Sequence, residues 1–263
     1  MIDDVDLIRP SKVNVLLTPR DLALLESLYD NVVMTYSQVA RAHFEGAQKP
    51  TVLNRLSKLK EAGLISRERI PRTKIGLDAQ AIGVVFQITR LGINELKSRH
   101  PLKEFRSYPI RIHPFSLEHD LILADVMVAL KTKWPGVTVT NGKHFLSTSQ
   151  NQKGLEPDLI VTMPDGKGAI AVELELNDKS EKRYREIVLR YRMSEFEKVI
   201  YLVGRPGIFR LIARVITNRN VDANVPPDTG RFYFADAFEF LNNPDKVPIT
   251  NGVVALSEKG GNP

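Results

Sequence analysis

The sequence predicts a mixed chain of the α+β or α/β class in two parts: a helical segment closed by a pair of strands, then an α/β domain on a mixed sheet. Three observations carry this. Residues 18–63 hold three helix-like patterns, opened by cap or proline signals. The stretch SRHPLKEFRSYPIRIHPFS, residues 98–116, breaks all periodicity with prolines and mixed charge. Beyond it, helix, strands, helix, strand and helix follow in an order that places helices against a mixed sheet.

In the first part, TPRDLALLESLYD opens with Thr18 as N-cap and Pro19 at the first helical position, with Leu22, Leu25 and Leu28 at helical spacing. TYSQVARAHFE has a cap at Thr35 or Ser37 and the shortness expected of the second helix of a helix-turn-helix. In KPTVLNRLSKLKEAGLISRERI, Val52, Leu53, Leu56 and Leu59 point one way, while Arg55, Lys58 and Lys60 point elsewhere, and Gly63 closes the helix. GLISRERI and IGVVFQITRLGINEL supply two strands around a basic loop with Arg67, Arg69, Arg72 and Lys74, then a last helix. This order, three helices and a basic hairpin, resembles the winged-helix family over about residues 16–99. The resemblance implies a third helix in the DNA major groove, with Arg55, Lys58 and Lys60 toward the bases and the hairpin on the backbone. A solvated helix face and a charged loop account for the same basic residues without DNA.

In the second part, residues 112–250, LEHDLILADVMVALKTKWP is a helix ended by Pro135, and GVTVTN is a strand. EPDLIV and AIAVELEL form a hairpin through PDGKG. SEKRYREIVLRYRMS is a basic helix carrying Tyr184 and Tyr191, KVIYLVG a buried strand, GIFRLIARVITNR a helix, and GRFYFADAFEFL a strand running into a short helix. The tail 251–263 reads as disordered.

Composition bounds the function. The chain has 263 residues, 43% hydrophobic and 26% charged, which is that of a globular protein. No apolar run reaches the ~18 residues of a membrane span, and MIDDVDLIRPSK is acidic where a signal peptide is basic, so a cytoplasmic chain is expected. Zero Cys removes disulfides, thiolate zinc sites and cysteine nucleophiles. A net charge of +6 suits a polyanionic partner. His43, His100, His113, His119 and His144 show no HExxH spacing, which argues against a zinc hydrolase. There is no P-loop or GxGxxG, so no nucleotide cofactor is expected.

The acids of the hairpin point to chemistry. Asp158 opens one strand and Glu173 and Glu175 interrupt the apolar run of the next, so that Asp158 and Glu173 converge if the register suits. Carboxylates of this kind hold a hard divalent cation, Mg²⁺ or Mn²⁺, together with water and phosphate. The competing reading makes AIAVELEL an edge strand with one wet face. Tyr184 and Tyr191 lie on one face of the basic helix among Lys182, Arg183 and Arg185. They are core aromatics, stacking platforms for unpaired bases, or nucleophiles.

The Pro157–Asp158 pair, the hairpin and the ExE pattern are similar to the PD-(D/E)xK nuclease superfamily, a restriction-endonuclease-like fold. The resemblance implies metal binding by Asp158, Glu173 and Glu175. The family's lysine position holds Glu175, and Lys179 stands in for it in space. More narrowly, the winged-helix pattern joined to LEHDLILADV, EPDLIV and VELELNDKSEKRYREIVLRY resembles the replication-relaxation family and the MOBC class of plasmid-mobilisation relaxases, over about residues 18–203. That resemblance implies Glu118 or His119 facing the metal site and strand nicking at a duplex origin of transfer or replication. It also implies accessory mobilisation or coupling proteins as partners. The alternative it leaves open is a DNA-binding replication or transcription regulator with an inactive nuclease-like domain.

Overall fold

The computed structural model describes residues 15–69, 83–101, 103–105, 109–111, 113, 115–145, 155–164, 166, 168–217 and 229–251. The expected wing residues Arg72 and Lys74 lie outside these, as does the expected tail apart from Asn251. The chain divides into two compact units between residues 121 and 122.

In the first unit, α1 (Pro19–Asn31) begins where the cap signal placed it. The Thr18 hydroxyl accepts from the Asp21 amide, and the Asp21 carboxylate accepts from the Thr18 amide at 2.7 Å, a capping box that satisfies two otherwise orphaned donors. Between the two cap candidates for α2 (Tyr36–His43), Thr35 is the cap, accepting from the Gln38 amide at 3.2 Å. Helix α3 (Lys49–Glu61) ends in a Schellman motif. Gly63 takes a φ of 75°, its amide donates to the Lys60 carbonyl, and the Leu64 amide reaches back to the Leu59 carbonyl. The expected strands are β2 (Ile65–Arg69) and β3 (Val84–Ile88), followed by α4 (Arg90–Arg99). A two-residue strand that the sequence pattern did not announce, β1 (Met34–Thr35), completes an antiparallel sheet of order β1-β3-β2.

The core of this unit differs from the expected helix faces at three residues. Leu24, with Leu25 and Leu28, is fully buried, and Leu22 is only half-buried, because the buried arc of α1 centres one residue later. Leu53 is 38% exposed, while Val52, Leu56 and Leu59 are buried. Arg55 does not join Lys58 and Lys60 on the exposed face. Its Nε donates to Asp21 Oδ1 at 2.8 Å, a second guanidinium nitrogen to Asp21 Oδ2, and the same nitrogen to the Leu16 carbonyl at 2.9 Å. Asp21 is fully buried, so the charge on Arg55 is consumed in fastening α3 to the start of α1.

The second unit follows the expected order. Helix α5 (Leu117–Lys133) spans the division between the units and precedes β4 (Thr138–Asn141), a short α6 (Gly142–Phe145), β5 (Leu159–Thr162) and β6 (Ala169–Glu175). Then come α7 (Glu181–Arg192), β7 (Lys198–Val203), α8 (Pro206–Thr217), β8 (Phe232–Asp236) and α9 (Ala237–Asn242). The five strands lie in the order β4-β5-β6-β7-β8, antiparallel from β4 to β6 and parallel from β6 to β8, so the sheet is mixed as predicted. Tyr184, Val188 and Tyr191 of α7 and Ile208, Ile212 and Val215 of α8 pack in one core with Ala171, Val199, Tyr201 and Phe234 of the strands. No helix among the described residues is long and apolar enough to cross a membrane.

Candidate functional site

The site is built on β6, the middle strand of the five. A central strand has no open edge, and Glu173 and Glu175 are buried, at 7% and 1% exposure, which overturns the reading of an edge strand with one wet face. The other face of the strand is buried as well, through Val172 and Leu174. Two acids therefore sit inside a sheet whose neighbours are apolar, where a charge is costly unless it is partnered.

Pairing of β5 with β6 sets Leu159 opposite Val172, and one step further along the same register sets Asp158 opposite Glu173. Asp158 is held there by its own strand partner, since the Leu174 amide donates to Asp158 Oδ2 at 2.8 Å. A second constraint comes from Gly142, which the sequence pattern did not single out. Its amide donates to the Asp158 carbonyl at 2.9 Å, and a Cβ at this position would stand 1.6 Å from the Pro157 carbonyl oxygen. Only a glycine lets the two backbones approach this closely. Gly142→Ala is expected to push the 157–158 backbone away and to lower the melting temperature measurably; unchanged melting would remove Gly142 from the site's support.

The three acids do not form one cluster. Asp158 and Glu173 line a cavity of about 340 Å³ with Leu155, Glu156, Lys179, Arg183, Ile187 and Arg190. Glu175 is not among these residues. Its Oε1 accepts from Lys179 Nζ at 2.5 Å and its Oε2 from the Tyr184 hydroxyl at 3.4 Å, so both oxygens are already engaged. The expectation that Asp158, Glu173 and Glu175 jointly surround one ion is corrected to a pair. The acid that the structure adds beside that pair is Glu156, two residues before Asp158 in the EPD stretch. Lys179 does reach the site, from the loop before α7, with its ammonium tied to Glu175.

Burial, and then repulsion from Asp158, push the Glu173 carboxyl well above the usual carboxylate range. The hydrogen bond from Tyr191 opposes this, Glu175 adds to it, and Lys179 relieves it. The Tyr191 hydroxyl donates to Glu173 Oε1. Tyr184 and Tyr191 are fully buried, so neither ring offers a face to an unpaired base. Burial and the adjacent carboxylates also raise both phenols above their ordinary value, which opposes the phenolate that a nucleophile needs. Their common face is the one that α7 turns to the core, because the arginines and lysines of the helix occupy the rest. Tyr201, opposite Glu173 on β7, is a third buried phenol, and its hydroxyl finds no hydrogen bond among the described residues. Tyr191→Phe should remove the donor to Glu173 and destabilise the protein by about 1–3 kcal/mol. A urea midpoint unchanged from the parent would show that the hydroxyl is dispensable.

Of the remaining expected residues among those described, Arg183 lines the cavity and the others do not. Lys182, Arg183 and Arg185 are exposed on α7, Arg183 beside Glu186 at 3.3 Å and Arg185 bound to Glu181 at 2.5 Å. Lys58, Lys60, Arg67 and Arg69 are exposed in the first unit. Glu118 and His119 stand on the first turn of α5, on the first unit's side of the division, and are not among the residues lining the cavity.

The donor set fits a hard divalent cation of the Mg²⁺ or Mn²⁺ kind, which binds through one or two carboxylates and keeps several waters. Asp158 and Glu173 provide that pair in a polar cavity. A closed cage is not present: among the described residues, no group of three or more His, Cys, Asp or Glu is placed to hold a metal.

A sequence model of the replication-relaxation family matches residues 25–195, more than half of the chain. No curated protein and no solved structure gives a significant match.

Proposed function

Because the chain belongs to the replication-relaxation family, we propose that it is a metal-dependent DNA-nicking enzyme of relaxase type. It binds a plasmid or mobile-element origin of transfer and cleaves one strand to start mobilisation. The observation that carries the reading is the pairing of Asp158 with Glu173 in a cavity that also holds Lys179. Strand order β4-β5-β6-β7, with α5 before and α7 within it, supports a PD-(D/E)xK arrangement. Three helices followed by β2 and β3, with β1 on the far side of β3, support a winged helix.

In this reading Asp158 and Glu173 hold Mg²⁺ or Mn²⁺. The ion, when bound, would lower the pKa of water and neutralise phosphate charge. The oxygen of a water molecule forms a bond to phosphorus as one ester P–O bond breaks, and the proton passes to the leaving oxygen. Glu175 keeps the Lys179 ammonium at the cavity, where it stabilises charge that develops on the phosphate. Glu175 is thus a positioning residue for Lys179, in place of a metal ligand. Lys179→Ala is expected to slow nicking by about 10²–10³-fold, the loss typical of one charge-stabilising donor, with metal binding retained.

A second reading, a DNA-binding regulator with an inactive nuclease-like domain, draws on the same Glu175. It stands where the superfamily has lysine, and both its oxygens are already bonded. A Mn²⁺ titration separates the two. Binding by the parent that disappears in Asp158→Ala supports the enzyme; no binding, or binding indifferent to the substitution, leaves the regulator.

For the first unit, Lys58 and Lys60 are proposed to contact the recognised duplex and Arg67 and Arg69 its backbone. Alanine at Arg67 and Arg69 should weaken binding to all duplexes and lower the salt slope by about 0.9 per lost phosphate contact. Unchanged duplex affinity in a variant with all four replaced would end the winged-helix docking proposal.

A further inference from the structure

The α7 side of the cavity carries a pattern that the nicking reading does not use. Arg183, Ile187 and Arg190 line it, and their spacing of four and three residues places them on one stripe of the helix. The neighbouring stripe, Tyr184, Val188 and Tyr191, is fully buried. The arginine stripe is therefore fixed by the core and not by a loop, as a binding site requires. The other arginines of the helix have different partners. Arg185 shares Glu181 with Arg214 of α8, and Arg192 donates to the Ile216 carbonyl at 2.7 Å. Arg183 pairs with Glu186 at 3.3 Å, with both side chains about half exposed, a pair that water already weakens and a phosphate would displace.

We propose that Arg183 and Arg190 form a two-point clamp on the backbone of the DNA strand that enters the cavity. Guanidinium groups present a planar fork that matches phosphate oxygens two at a time. Seven helical residues separate the two arginines by about 10 Å along α7. Two forks at this separation can hold two nearby phosphates of the same strand. Ile187 lies between them and gives an apolar seat to the intervening sugars. The strand then runs along α7, beside the Asp158–Glu173 pair and Lys179. The clamp rests on the nicking reading for the identity of its ligand, and deepens it by fixing the path of the strand.

The test measures binding without cleavage. The full-length chain in EDTA is titrated with a fluorescent single-stranded 12-mer over a range of KCl, as the parent and as Arg183→Gln, Arg190→Gln, the double variant and an Arg185→Gln control. Each clamp substitution should lower the slope of log affinity against log salt by about 0.7, the value per phosphate for single strands, and the double variant by about twice that. The control should match the parent. Melting curves identical to the parent's check that these surface changes leave the fold intact. An unchanged slope in the double variant, an equal fall in the control, or no binding of the oligonucleotide by the parent overturns the clamp. Plasmid nicking with Mn²⁺, run in parallel, keeps the readings apart. Slopes that fall without nicking uphold the clamp and remove the enzyme. Nicking with unchanged slopes does the reverse.

Discussion

Asp158→Asn and Glu173→Gln are expected to abolish plasmid nicking while leaving the metal-free protein as heat-stable as the parent, or more so. Each removes one of the two carboxylates proposed to hold the ion, so the loss should exceed the roughly 10–100-fold that follows when a group merely orienting a ligand is lost. The stability effect has the opposite sign because Glu173 is buried, lies near Asp158 and is pushed upward by both. Since its folded value lies above its unfolded one, the folded state binds the extra proton between the two. Stability is complete below the ordinary glutamate range, about pH 4.3, and is lost as pH rises through the raised folded value. Glutamine stays neutral throughout and still accepts the Tyr191 hydrogen bond on its amide oxygen. The melting temperature of Glu173→Gln should therefore exceed the parent's by a few degrees at pH 8, with about 2–4 °C for each kcal/mol at this size, and the gap should close toward pH 4. Thermal melts without metal across this range, beside a supercoiled-plasmid assay with Mn²⁺, decide it. Normal nicking, outright unfolding, or a gap independent of pH would each make these acids structural.

Arg55→Ala is expected to be the most destabilising single change in the first unit, at about 3–5 kcal/mol, because it strands the Asp21 carboxylate in a site with no exposure. Asp21→Ala should cost less. Arg55 keeps 19% of its side chain in water and can solvate its charge, although the capping box is lost. The double variant should cost less than the sum of the two, since each residue is the other's reason for being there. Burial alone would raise the Asp21 carboxyl, but hydrogen bonds from Arg55 and Thr18 outweigh it and hold the group below its ordinary value. The pair's contribution is then present above the ordinary aspartate range and is lost as pH falls through the lowered value. Denaturant unfolding of the two single variants and the double at pH 7 and pH 3 measures all of this. DNA affinity, measured on the folded fraction, should be nearly unchanged in Arg55→Ala. A large loss there would restore Arg55 to the DNA-facing set.

The contrast between Arg55 and Lys58 marks where sequence reasoning stopped. Helical spacing places both off the apolar stripe of α3, but the acid that captures Arg55 lies 34 residues earlier and is buried only once α1 and α3 pack. Caps and stops, by contrast, were legible because their physics is local. Thr18, Thr35 and Gly63 act within a few residues of themselves, and the structure places each at its helix end. The hairpin that carries Asp158 and Glu173 was legible in the same way, but whether the two stand opposite depends on a register that the structure supplies.

What the sequence by itself determined was therefore the order of the principal helices and strands and the mixed sheet, whereas the register that sets Asp158 opposite Glu173 came from the structure. The tertiary structure alone decided that Glu175 turns to Lys179 and Tyr184, and that Tyr184 and Tyr191 go to the core while Arg183 and Arg190 reach the cavity. It also decided that Gly142 presses on the backbone of Pro157 and Asp158. Periodicity states which side chains share a face. The face that is buried, and the group it meets, depend on how α7 crosses the sheet, and packing of residues far apart in the chain sets that crossing.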